Sequence, residues 1–131
     1  MKPLEELREW LRIAGNDLRA ARLTIPNGPL EPGCFHCQQA IEKLLKAWLI
    51  SRGCHPPFTH DLTLLLDLCA QQNASFIKHR DEWEWVAGFA VTTRYPTEVP
   101  PPDVAEAQRA LRAAEQAWKA ITAELPPEVR P

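Results

Sequence analysis

The stretch CFHCQQAIEKLLKAWL, Cys34 to Leu49, admits two readings that lead to different proteins. Its two cysteines stand at C-x-x-C spacing with a histidine between them, the form of half a zinc knuckle or of a redox pair. The same residues carry helical periodicity. Cys37, Ile41, Leu44, Leu45 and Trp48 fall on one side of a helix, and Gln39, Glu42, Lys43 and Lys46 on another. Missing partners decide between the two. A structural zinc site takes four ligands, usually from two such pairs, and Cys54 and Cys69 each stand alone. A thioredoxin-type pair follows a strand, whereas NGPLEPG leads in here. The segment is therefore expected to be a helix with Cys37 in the core and its amide and ammonium groups outward, and no metal or cofactor is implied.

Outward from this helix, prolines and glycines punctuate the chain more clearly than charge does. Clusters at Pro26 to Gly33, Gly53 to Pro57 and Pro96 to Pro102 separate four blocks. In the first, Leu4, Leu7, Leu11, Ala14, Leu18 and Ala21 alternate spacings of three and four, which predicts a helix from about Pro3 to Leu23. In the last, Val104, Ala107, Leu111, Ala114, Trp118, Ile121 and Leu125 repeat in the same way over about 103–125. Asp103 and Glu106 stand at N-cap and N3 of that helix. Its many alanines predict close approach to neighbours. Between these blocks, Thr59 is expected to cap a short helix with Asp61 in its first turn, ending near Gln71. Phe76, Trp83, Val86, Ala87 and Ala90 share one side of a further helix that stops before Arg94, because the residue ahead of Pro96 resists helical geometry. No stretch alternates long enough to make a strand. The expectation is an all-α, up-and-down bundle of four to five helices: one domain over 1–125, then a frayed Pro-rich tail over 126–131.

Composition narrows the functional classes. Fifteen Lys and Arg against seventeen Asp and Glu give a net charge of -2, so no global field draws nucleic acid or anionic lipid. Apolar runs of four or five residues are too short to span a bilayer, and MKPLEELREW has no apolar export region, so a cytoplasmic, non-membrane protein is expected. Four cysteines in such a compartment read as free thiols.

The ordered set QQAIEKLLKAWL, THDLTLLL and TRYP before a final Ala-rich helix resembles the HEPN domain family over nearly the whole chain. QQA-x-EK-x-x-KA is its most specific part. The resemblance implies a HEPN-like bundle, usually a homodimer. It also implies a domain often encoded beside a minimal nucleotidyltransferase, with which it forms a toxin–antitoxin or nucleotide-handling pair. Many family members are metal-independent ribonucleases carrying Arg, four to six residues, then His. No arginine of this chain has that spacing: Arg52 and His55 are separated by two residues, and no histidine follows Arg94. A non-catalytic module is therefore expected, binding a nucleotide, a nucleotidyltransferase partner or both. A ribonuclease with a non-standard active site and a purely structural dimerisation module are the alternatives.

The resemblance points to Gln39, Lys43 and Lys46 on the second helix, His60 and Asp61 at the third, and Arg94 and Tyr95 after the fourth as ligand-binding candidates. Two ammonium groups at i and i+3 could meet a phosphate or a partner's carboxylates. His60 and Asp61 serve equally well as a helix cap, and ordinary surface lysines would look the same. Arg94 suits bidentate contact with a phosphate, and Tyr95 suits stacking on a base.

Overall fold

A computed structural model describes residues 2–90 and 100–131. Among them five α-helices follow one another: α1 (Pro3–Thr24), α2 (Leu30–Ser51), α3 (Leu62–Gln72), α4 (Arg80–Ala87) and α5 (Val104–Thr122). There are 3-10 turns at Ala74–His79, Gly88–Ala90 and Pro127–Val129, and no strand among the described residues. None of these helices is long and apolar enough to cross a membrane.

α2 is the axis of the bundle. It packs most extensively on α1, then on α5, and touches α3 and α4 as well. Its core-facing residues, Cys37, Ile41, Leu44, Leu45 and Trp48, are at most 1% exposed, as the periodicity predicts. The helix begins earlier than the punctuation suggests. Pro32 sits in the first turn, where its missing N–H costs nothing, so the break between α1 and α2 shrinks to five residues, 25–29. Gly33 is required there by proximity: a Cβ at this position would lie 2.5 Å from Ile25 Cγ1. At the other end Gly53 takes φ +77°, and the bonds Cys54 N–H to Leu49 O (2.9 Å) and Gly53 N–H to Ile50 O (3.0 Å) close the helix in a Schellman motif.

α5 lays Ala107, Ala110, Ala113, Ala114 and Ala117, none more than 3% exposed, into the bundle and so brings its backbone close to α2. Its start is fixed by the expected capping box: Asp103 Oδ1 accepts from Glu106 N–H at 2.7 Å, and Glu106 Oε1 accepts from Asp103 N–H at 3.1 Å. A clasp joins α4 to α5. Arg109 forks onto Glu82 at 2.7–3.2 Å and lies 3.9 Å over the half-buried Trp85 ring. Of the two neighbouring tryptophans on α4, Trp83 is the one in the core. Phe76 meets both Trp48 (4.7 Å between centroids) and Trp83 (6.3 Å) edge to face, and the indole N–H groups of both tryptophans are buried with no acceptor among the described residues.

Three local expectations are revised. Asp61, not Thr59, is the N-cap of α3: its carboxylate accepts from Leu64 N–H at 3.1 Å, while Thr59 Oγ1 accepts from Asp61 N–H at 3.0 Å. The segment carrying Phe76 is a 3-10 turn that feeds α4, because Asn73 side-chain oxygen takes the Ser75 N–H and caps a tighter turn. The Pro-rich tail is also packed rather than frayed. Val129 is buried, Arg130 Nε donates to Leu125 O at 2.8 Å, and Arg8 reaches Glu128 O at 3.3 Å.

The alanine face of α5 makes a size-dependent prediction. Ala114→Leu should destabilise the fold by about 1–3 kcal/mol through overpacking, while Ala105→Leu on the exposed side should stay within about 0.5 kcal/mol; urea unfolding followed by circular dichroism measures both.

Candidate functional site

The polar side of α2 is not the open surface its sequence suggests. Glu42 is 1% exposed and Lys46 6%, Gln38 is fully buried, and Asp17 of α1 is 8% exposed. Charges removed from water must be paired, and these are. Lys43 Nζ lies 2.5 Å from Asp17 Oδ2, and Lys46 Nζ lies 3.4 Å from Glu42 Oε2. Lys46 also sits 5.1 Å from the Trp10 ring centroid, so an aromatic face covers the ammonium group that the carboxylate holds.

A histidine completes each pair. His36 Nδ1 is 2.8 Å from Asp17 Oδ1, and His60 Nδ1 is 3.3 Å from Glu42 Oε2. An ionised carboxylate only accepts, so in each ring Nδ1 carries the proton and, in the neutral form, Nε2 keeps its lone pair. The His60 side chain is 85% exposed over a Glu42 that is almost wholly enclosed. Gln38 and Gln39 tie the second triple together: Gln39 Nε2 donates to Gln38 Oε1 at 2.6 Å, and Gln38 Nε2 reaches Glu42 Oε1 at 3.4 Å. The result is two carboxylate–lysine–histidine triples, on α2 with help from α1 and from the segment before α3. With both imidazoles neutral their four formal charges cancel.

Of the sequence-derived candidates, the structure gathers Gln39, Lys43, Lys46 and His60 into this network. Asp61 is separate from it and caps α3. Arg94 and Tyr95 lie outside the described residues. The expectation that both ammonium groups look outward is corrected for Lys46, which is buried on Glu42, while Lys43 is partly buried on Asp17. Asp17, His36, Gln38 and Glu42 were not among the candidates. Asp17 left one trace: Trp10, Ile13, Asp17 and Ala20 form a second stripe beside the leucine stripe of α1, and an acid within it needs a cation opposite.

Next to His60 the chain presents an apolar group to water. Phe58 is fully exposed on a segment pinned on both sides, by His55 Nε2 at 3.5 Å from Glu6 and by the His60 and Asp61 contacts. Leu64, one turn into α3, is also exposed. The thiols point the other way. Cys34, Cys37 and Cys69 are fully buried and Cys54 is half-buried. Burial pushes Cys34 up to about 11, with Glu106 and Glu31 adding to it, and pushes Cys37 and Cys69 to about 12.

An all-α bundle with an internally paired polar face on its central helix is the class that the geometry defines. The HEPN domain family model matches residues 7–124, and the chain belongs to that family. Two solved structures share the fold. A protein from Thermus thermophilus is 26% identical with a TM-score of 0.77, covering 91% of this chain and 98% of its own. An archaeal HEPN homologue is 22% identical with a TM-score of 0.74, covering 90% and 96%. No curated protein matches.

Two measurements check this site. Glu42→Ala strands a buried ammonium and should cost about 3–5 kcal/mol, whereas Glu42→Leu with Lys46→Met should come within about 1–2 kcal/mol of wild type, since a packed apolar pair needs no compensation. The thiols carry a pH dependence. Their folded pKa values lie above the unfolded value of about 8.5, so their contribution is complete below that value and fades as pH rises toward 11–12. Stability should fall above about pH 9, and a thiol reagent at pH 8 should label Cys54 alone in the native protein.

Proposed function

We propose that this chain is a non-catalytic HEPN module that acts by docking, as a homodimer and in a toxin–antitoxin type pair with a minimal nucleotidyltransferase. The observation that carries this reading is the state of the α2 lysines. Each already has a buried carboxylate, so a polyphosphate arriving there would have to compete with Asp17 and Glu42 and would be repelled by them. A protein surface has no such difficulty. It can meet Gln39 and the outward Nε2 atoms of His36 and His60 with its own donors, and it can cover Phe58 and Leu64, whose exposure on a pinned segment costs hydration free energy in the isolated chain. The absence of Arg-x4–6-His from the sequence supports a role without catalysis.

Co-expression with the nucleotidyltransferase-like product of an adjacent gene tests the reading. A stable complex should form, and Phe58→Ser should weaken it at least tenfold while leaving thermal stability unchanged. Failure of the two chains to associate would overturn it. Mass measurement in solution tests the homodimer separately.

One observation favours the catalytic alternative: Asp17 fixes His36 so that Nε2 faces outward with 34% of the side chain exposed, a geometry suited to proton transfer. That alternative expects metal-independent RNA cleavage which His36→Asn or His60→Ala abolishes. The docking reading expects RNA to stay intact at high protein concentration.

A further inference from the structure

Part of the docking face changes charge near neutral pH. Phe58, Leu64 and Gln39 carry no titratable group, but two of the chain's four histidines belong to this face. His36 Nδ1 lies 2.8 Å from Asp17 Oδ1, and His60 Nδ1 lies 3.3 Å from Glu42 Oε2. In each ring the carboxylate takes the Nδ1 proton, so Nε2 is the nitrogen left to gain or lose one. These rings are reachable from solvent, with 34% of the His36 side chain and 85% of the His60 side chain exposed.

The charged groups around the rings decide what such a proton does. Facing His36 are Asp17 of α1 and, on the other oxygen of that carboxylate, Lys43 of α2 at 2.5 Å. Facing His60 are Glu42 and Lys46 of α2, with Lys46 Nζ directed to the same Oε2 that the imidazole holds. Asp61, next in the chain, is engaged in capping α3. No other charged side chain pairs with either ring among the described residues. Each carboxylate therefore already has one cation. An imidazolium would be the second on the same carboxylate, giving the triple a net positive charge and turning its outward edge from acceptor to donor. The other histidines differ. His55 turns Nδ1 to Pro56 O at 3.0 Å and Nε2 to Glu6 Oε1 at 3.5 Å, so both nitrogens face oxygens of their own chain, and His79 stacks on Trp83.

We infer that the docking face is a proton-sensitive switch, resting on the docking reading above: protonation of His36 and His60 at Nε2 releases the partner. The partner supplies N–H or O–H donors to the two Nε2 lone pairs. A donor that meets a new N–H, on a face that has gained positive charge, is repelled. Binding thus selects the deprotonated rings and weakens as pH falls through the range in which imidazoles titrate, roughly pH 8 to 5.

The test is the affinity of the full-length chain for the nucleotidyltransferase-like product of the adjacent gene, measured by calorimetry at about pH 8 and about pH 5.5, with circular dichroism confirming the fold at both. The complex should be at least tenfold weaker at the lower pH. Glutamine puts a carboxamide that does not titrate in place of the ring, so His36→Gln with His60→Gln should bring that ratio below about twofold, whatever its affinity at the higher pH. Each single variant should give an intermediate ratio, and His55→Gln should keep the wild-type one. Nitrogen-15 NMR of the imidazoles in the free chain needs no partner: for His36 and His60 it should show Nδ1 protonated throughout and Nε2 gaining the proton. A wild-type ratio near one would overturn the switch and leave docking standing. So would an unchanged ratio in the double variant, or Nδ1 as the atom that titrates. No complex at either pH would overturn the docking reading and the switch together.

Discussion

Everything in this fold is arranged around a helix that has neighbours on nearly every side. Fourteen of the 22 residues of α2 are buried, more than the single apolar stripe of a surface helix would cover, so its polar residues are drawn into the interior with the rest. Burying a charge is tolerable only beside an opposite one, and α2 meets that constraint partly from within, with Glu42 one turn before Lys46, and partly from α1, with Asp17 against Lys43. Such pairs add little net stability compared with apolar residues of the same size. Their effect is on register: sliding α1 by one turn along α2 would separate Asp17 from both Lys43 and His36.

How far the sequence could be read depended on whether an interaction was local. α1 and α5 were legible because their apolar stripes and the Asp103–Glu106 box lie within single helices. The early start of α2 was hidden by Pro32 and Gly33, residues that usually mark a break but here fit a first turn and a close contact with Ile25. The shift of the α3 cap from Thr59 to Asp61 is a difference of two residues that composition does not resolve.

The site was half legible for the same reason. Periodicity placed Gln39, Lys43 and Lys46 together on α2, but it distinguishes polar from apolar positions and cannot say whether the polar side is covered. The covering groups, Asp17 and Trp10, come from another helix, and His60 comes from eighteen residues beyond Glu42. Once those partners are in place the chemistry changes from two free cations, suited to phosphate, to two carboxylate–lysine–histidine triples that present histidine and glutamine edges. Of the two contacts the sequence left open for these lysines, a phosphate or a partner's carboxylates, that change disfavours the phosphate.

Amide hydrogen exchange across α2 tests the central role of this helix most directly. If α2 is the enclosed axis, the amides of Ile41 to Trp48 should be the slowest in the chain and should exchange only by global unfolding, with a free energy equal to that from urea denaturation. Exchange of these amides at the rate of α4, well below the global value, would contradict an account in which every other helix leans on α2.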